Sequence, residues 1–353
     1  MKHLTPIAIN GQFTARRMTG QERFAHEITT ELDKISNEGQ FVLVVPHNAA
    51  NIPELKRIHV VKFGKAKGSS WEQTCFAWYT IKHKLPSLNL CSIMPLLKPG
   101  YICIHDLSYK VNPQYFTTPY SKISQWWHKI QYHFAWRFSP VIFTVSEYSK
   151  KQMMEIYHVK PKKIVVIGNG WEHFEKVEED VTLLKRRPDL FERPYFFSLG
   201  SLAPNKNIQW ILEVSKRNAE YNFLIAGNAS LKAYGNDYKE CDCKNVEFLG
   251  YLSDSEIKYL MRHCEAFLFP SFFEGFGIPP LEALSVGSKI VVANTTCLPE
   301  IFGAAAYYVN PYDYEVNLKR LLEENVSDGK EVLEKYRFSR FAKIIYTITT
   351  KKC

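Results

Sequence analysis

The residues best suited to chemistry lie in one stretch, Phe269-Pro270-Ser271-Phe272-Phe273-Glu274-Gly275-Phe276-Gly277-Ile278-Pro279-Pro280-Leu281-Glu282. Two carboxylates, Glu274 and Glu282, flank a loop containing Gly275 and Gly277, where the backbone can come close to a ligand. Pro279 suits the first position of a helix, with Pro280 inside its first turn. The amides of Phe276, Gly277 and Ile278 then lie at the positive end of that helix, an arrangement that holds a phosphate. Glu274 in the loop and Glu282 a turn into the helix can both face one ligand. The plainer alternative is a solvated Glu274 and a Glu282 favoured only by the helix dipole. The glycines and prolines between the two carboxylates weigh against it. A further cation, Lys206, follows Gly200 in the segment Phe197–Asn207 and can meet a diphosphate as a point charge.

The elements that must position these groups come in two series. In the first, Ile7–Ile9, Phe41–Val45, His59–Phe63, Leu90–Met94, Tyr101–Ile104, Val141–Val145 and Ile164–Ile167 read as strands. Phe24, Ile28 and Leu32, four residues apart, predict a helix over 22–34. In the second, Tyr195–Leu199, Phe223–Ala226, Val246–Leu249, Ala266–Phe269, Lys289–Val292 and Ala306–Val309 read as strands, with helices from Ile208 and over 253–263. Val/Ile-rich strands alternating with helices predict parallel sheets covered on both faces, an α/β fold. The charged, strand-free stretch from Glu172 to Arg193 reads as a linker. The expected organisation is a first domain over 1–174, a linker over 175–193 and a second domain over 194–335, with a closing helix in 336–353 packed back on the first. Ligands of such sheets bind outside the carboxyl ends of the strands, so the chemistry is expected in a cleft lined by those loops.

At this point the sequence resembles the retaining glycosyltransferases of family 4, which have the GT-B fold of two Rossmann-like domains facing across a cleft. Glu274 to Glu282 matches their Glu-x7-Glu signature, and Gly200 to Lys206 resembles their Gly–loop–Lys element. Thr19-Gly20-Gln21-Glu22-Arg23-Phe24 is similar to their first glycine loop, and Ile104-His105-Asp106 to their strand-end His-Asp. The resemblance implies that Glu274 touches the donor sugar and Glu282 the ribose, with His105 holding the sugar or acceptor. Gly20, Gly200, Lys206, Ser271, Gly275, Phe276, Gly277 and Ile278 are implied as donor-binding. It further implies transfer of a hexose or deoxyhexose, mannose or rhamnose favoured, from a nucleoside diphosphate sugar to a saccharide or lipid-linked acceptor. Retention by front-face attack, with the leaving phosphate as base, needs no protein nucleophile. No Asp-x-Asp motif follows a strand, so no metal and no cofactor is expected. Where many relatives carry arginine, this chain has Ser201 and Asn205, which shifts the expected diphosphate contact onto Lys206.

Composition limits the rivals. The 353 residues are 46% hydrophobic and 23% charged, which suits two globular cores without low-complexity tracts. No apolar run is long enough to span a membrane. The eight cysteines contain no CxxC pair, and Cys241-Asp242-Cys243 lacks further ligands for zinc; reduced thiols and a cytoplasmic location are expected. Residues 1–170 hold 22 Lys and Arg against 10 Asp and Glu. Such a field suits peripheral contact with an anionic membrane, helped by Trp71, Trp78, Trp126 and Trp127, though core packing is the alternative role of these rings. A nucleic-acid-binding protein would need recognition motifs that are not found. The other rivals are a sugar-nucleotide epimerase, a phosphorylase on the same fold, and an inactive scaffold.

Overall fold

The computed structural model describes residues 5–227 and 243–351, which form two compact units. The first unit is built on a seven-stranded, wholly parallel sheet. Its strands are β1 (Ile7–Asn10), β2 (Phe41–Val45), β3 (His59–Lys62), β4 (Ser87–Asn89), β5 (Tyr101–Cys103), β6 (Ile142–Thr144) and β7 (Ile164–Val166), in the order β3-β2-β1-β4-β5-β6-β7. The order reverses between β1 and β4. There Asn10 donates to Asn89 (3.2 Å) and to Glu72 (3.1 Å), and Arg16 reaches both Glu72 and Glu22. Burial pushes the Glu72 carboxyl up to about 7 against the pull of Arg16.

The second unit repeats the plan with six parallel strands. They are β8 (Tyr195–Leu199), β9 (Asn222–Ala226), β10 (Val246–Gly250), β11 (Phe267–Phe269), β12 (Ile290–Ala293) and β13 (Tyr307–Val309), ordered β10-β9-β8-β11-β12-β13. Phe196, Trp210, Phe223, Leu268 and Val291 fill its core, and the Trp210 indole donates to the Asp313 carbonyl at 2.7 Å. The order reverses between β8 and β11, so the loops after these two strands adjoin at their carboxyl ends.

The chain changes unit at Gly170/Trp171, and the stretch expected as a linker, 175–193, belongs to the second unit. The buried Lys258 ammonium ties it down, donating to the carbonyls of Phe174, Glu175 and Val177, and Arg186 pairs with Glu256 at 2.8 Å. Its charges read as solvated linker in the sequence, yet they are docking partners for the helix Asp254–His263. Residues 114–119 also cluster with the second unit.

Two more expectations change. Leu90–Met94 is a buried loop rather than a strand; the sheet uses Ser87–Asn89 instead. Ser92 there adopts a left-handed φ of 59°, which no strand accommodates. Cys243 is disulfide-bonded, which corrects the expectation of reduced thiols for that residue, while Cys75, Cys91, Cys103, Cys264 and Cys297 are free. Cys241 and Asp242 lie outside the described residues. Of the four tryptophans read as docking rings, Trp71 is wholly buried, whereas Trp78 and Trp126 are exposed. Among the described residues no helix is long and apolar enough to cross a membrane.

The closing helix Phe338–Thr350 completes the first unit by packing on the helix Gly20–Ile35. Phe338, Ala342 and Ile345 are buried, as are Phe24, Ile28 and Leu32 on the partner helix. Ile345→Ala should therefore destabilise this unit by about 2–5 kcal/mol through the cavity it leaves. Urea denaturation monitored by circular dichroism measures that loss.

Candidate functional site

The two loops at the reversal point of the second sheet carry the candidate chemistry. After β8 the chain runs through Gly200 into the short turn Pro204–Lys206, and Asn207 takes a left-handed conformation (φ 54°) before the helix Ile208–Arg217. After β11 it runs through Pro270 and Glu274 to Gly277, then into the helix Ile278–Ser285. The loops are laced together by backbone-directed bonds. The Phe272 amide donates to the Asn205 carbonyl (2.8 Å), Asn205 Nδ2 donates to the Phe273 carbonyl (3.2 Å), and Asn207 Nδ2 donates to the carbonyls of Pro270 and Pro311. The Cys297 thiol lies 3.4 Å from the carbonyls of Glu274 and Phe276 and fixes the far side.

This lacing sets Lys206 Nζ 2.6 Å from Glu274 Oε1, with the ammonium 5.1 Å from the centre of the Phe269 ring. Both side chains keep partial exposure, 21% and 13%, so the pair faces outward from the loops. An ammonium has three donors, which leaves Lys206 able to meet an anion while it neutralises Glu274. Asn205, where an arginine was expected, serves as a stitch between the loops rather than as a charge. Gly200 closes β8, and an added Cβ there would meet only Lys206 at ordinary contact distance.

Gly277, not Pro279, precedes the helix: it caps the N-terminus with φ 99°, and Ile278 is the first helical residue. A Cβ at Gly277 would come within 3.0 Å of Leu298, so glycine is required by conformation and by space. The first amides of this helix have no partner within it, and no side chain caps them. The Phe276 ring is buried, edge-on to Tyr336 at 5.1 Å, so only its backbone can serve a ligand. Ser271 is also buried; its carbonyl accepts from Thr295, and its hydroxyl has no partner among the described residues.

Glu282 is held by a residue that sequence reasoning missed. His173 Nε2 lies 2.8 Å from Glu282 Oε1, and both side chains are nearly buried. A carboxylate can only accept, so Nε2 carries the proton. The second Glu282 oxygen has no hydrogen-bond partner among the described residues. The segment Asn169-Gly170-Trp171-Glu172-His173 had read as scaffold and linker, and a lone histidine beside a turn carried no signal of its role. Gly227 was missed as well. Its φ is 138°, and a Cβ there would fall 1.8 Å from the Gly200 carbonyl oxygen, so β8 and β9 end in bare backbone.

His105 and Gly20 lie in the first unit. Gly20 opens the helix Gly20–Ile35, behind Thr19 at the N-cap, whose hydroxyl contacts Glu22. His105 follows β5, with Nε2 donating to the Leu90 carbonyl (2.8 Å) and the ring edge-on to Phe24 at 4.8 Å. Burial pushes its pKa down to about 4, opposed by the bond to Leu90. The imidazole is therefore neutral at pH 7, with the Nε2–H tautomer fixed. Among the described residues no group of three or more His, Cys, Asp or Glu side chains could hold a metal.

Two stability predictions follow from this geometry. Gly227→Ala should lower the melting temperature by several degrees, since the Cβ meets backbone in a strained conformation; an unchanged melting curve contradicts the close approach. His105 takes up a proton near pH 6.5 when unfolded but only near 4 when folded. Its contribution is intact above about 6.5 and lost as pH falls toward 4. Glu72, held up to about 7, has the opposite slope, its contribution being lost as pH rises through that value. The melting temperature of His105→Gln should thus fall less steeply than that of the wild type between pH 6.5 and 4.

Known proteins agree with this architecture. Residues 182–337 match the family model described as glycosyl transferases group 1. O-antigen chain mannosyltransferase B of Escherichia coli is 24% identical over 246 residues, covering 66% of this chain and 63% of its own length. The chain thus spans less than two thirds of that relative. O-antigen chain mannosyltransferase RfbU of Salmonella typhimurium is 24% identical over 337 residues, covering 89% of this chain and 86% of its own. The crystal structure of Anabaena HepE, in complex with UDP and glucose, superposes with a TM-score of 0.67 at 16% identity, over 98% of this chain and 96% of that one. This chain has the GT-B α/β fold, carries the glycosyl transferases group 1 domain over residues 182–337, and is similar to O-antigen mannosyltransferases.

Proposed function

We propose that this chain is a retaining hexosyltransferase of family 4 that moves mannose, or failing that rhamnose, from a nucleoside diphosphate sugar to a saccharide or lipid-linked acceptor. The observation that carries the reading is the Lys206–Glu274 pair at 2.6 Å, set at the sheet reversal beside an uncapped helix N-terminus. A diphosphate fits there because fixed positive groups surround it: the free donors of Lys206 and the amides at Phe276, Gly277 and Ile278. These are present before reaction and stabilise charge as it grows on the leaving diphosphate. Glu274, neutralised by Lys206, accepts from hydroxyls of the donor sugar, and Glu282 uses the oxygen not held by His173 to accept from the ribose. His105, neutral and fixed in tautomer, serves the sugar or acceptor from the first unit. The leaving phosphate takes the acceptor proton, so no side chain acts as nucleophile, and Lys206 with the amides performs the neutralisation that a metal performs elsewhere.

The mannose preference is supported by the two O-antigen mannosyltransferases it resembles, and a nucleotide donor by the UDP bound to HepE. We place the activity in the cytoplasm, at the inner face of a membrane, with the basic first 170 residues toward anionic lipid.

Glu274→Ala should abolish mannosyl transfer while leaving the melting curve intact, measured with a labelled mannosyl donor in the presence of EDTA. Near-normal turnover in the variant removes Glu274 from the site, and loss of wild-type turnover on chelation contradicts metal independence. Lys206→Ala should weaken nucleoside diphosphate binding by about 1.5–3 kcal/mol, the worth of a charge-assisted hydrogen bond; titration calorimetry checks this. Conversion of the donor without an acceptor would instead identify an epimerase, and dependence on inorganic phosphate a phosphorylase.

A further inference from the structure

A cavity of about 730 Å³ opens on the first unit, far along the sheet plan from the groups above. Its wall includes Arg137, Lys160, Lys162 and Lys163 together with Trp136 and Tyr157, and it contains no Asp or Glu. Arg137 ends the helix Pro119–Phe138, which leads into β6, and the three lysines join the helix Glu147–Tyr157 to β7. The cavity therefore lies at the amino ends of β6 and β7. His105, after β5, lies at the opposite, carboxyl edge of the same sheet.

Four cations line this wall, and among the described residues none of them pairs with a carboxylate. Lys163 donates instead to the Trp136 carbonyl at 2.5 Å. Two helices end here, each contributing about half a negative charge, which offsets roughly one of the four positive charges. The remainder repel one another unless an anion lies between them, and burial together with Arg137 holds the Lys163 pKa below its ordinary value. The indole N–H of Trp136 and the hydroxyl of Tyr157 are buried without partners, their rings 4.8 Å apart.

We propose that this cavity binds a phosphoryl group, and specifically one borne on a lipid. Clustered Lys and Arg without carboxylates select an anion with several oxygens. The lipid source is favoured by the apolar side chains beside it: Phe138, next to Arg137, is 55% exposed, and Ile123 and Trp126 on the same helix are more exposed still. The site needs neither sugar donor nor acceptor, so it stands apart from the transfer reaction.

The test compares the full-length wild type with Arg137→Ala/Lys160→Ala/Lys162→Ala, three exposed positions whose loss spares the core. A control, Lys56→Ala/Lys62→Ala/Lys65→Ala, removes the same charge elsewhere in the unit. Each protein is sedimented with phosphatidylcholine vesicles, with and without phosphatidylglycerol, and titrated with inorganic pyrophosphate. The wild type should bind only the anionic vesicles, the cavity variant on the order of tenfold or more weakly, and the control close to wild type. Pyrophosphate binding lost in the cavity variant, with vesicle binding unchanged, keeps the phosphoryl site but overturns the lipid source. Equal losses in both variants reduce the effect to net charge, and no difference between wild type and cavity variant, or no binding by either, overturns the site. All of these outcomes are read without measuring sugar transfer.

Discussion

The contact between Lys206 and Glu274 depends on the point where the second sheet reverses its strand order. Because β8 and β11 are neighbours there and both run the same way, the loops leaving them emerge side by side. Backbone-directed bonds from Asn205 and Asn207 then hold one loop to the other. A lysine and a glutamate 68 residues apart in sequence are thereby placed within hydrogen-bond distance. Without the lacing, two partly exposed long side chains would gain little by meeting, since solvent screening and side-chain entropy leave such pairs weak. The loops hold the pair; the pair does not hold the loops.

The same edge shows why its glycines differ in importance. Gly227 is fixed by a clash with the Gly200 carbonyl, and Gly277 by its left-handed backbone and by Leu298. Gly200 has no such restriction and would accept a methyl group against Lys206. Bare backbone at the ends of β8 and β9, and an uncapped helix after β11, leave an edge of amides with few side chains in the way. An anion can approach such an edge closely. His173 completes it from the start of the second unit by fixing one oxygen of Glu282.

Much of this was legible in the sequence because burial and strand formation coincide in a parallel sheet. Phe41–Val45 and Tyr195–Leu199 were read with the bounds they have, and the other strands to within one residue, except one. Leu90–Met94 is apolar because it is buried, but it is buried as loop, and hydrophobicity alone does not separate the two. The Glu274–Glu282 segment was legible because glycine and proline mark its turn and helix start. His173 was not, since its role arises from a partner 109 positions away and no local pattern encodes that. Gly227 ended an expected strand in the sequence, but its contact with Gly200 depends on the register of β8 and β9. The charges of 175–193 were misread for a similar reason: Lys258, which anchors that segment, lies in a distant helix.

Calorimetric titration of the intact protein with UDP, GDP, dTDP, ADP and CMP in turn, without divalent metal, tests the nucleotide site most directly, with Glu282→Ala measured in parallel. The Lys206–helix site predicts saturable binding of one nucleoside diphosphate, over the others, weakened in Glu282→Ala by about tenfold or more, as loss of a charge-assisted contact to the ribose requires. Binding of none of the five, or undiminished binding by Glu282→Ala, would contradict it.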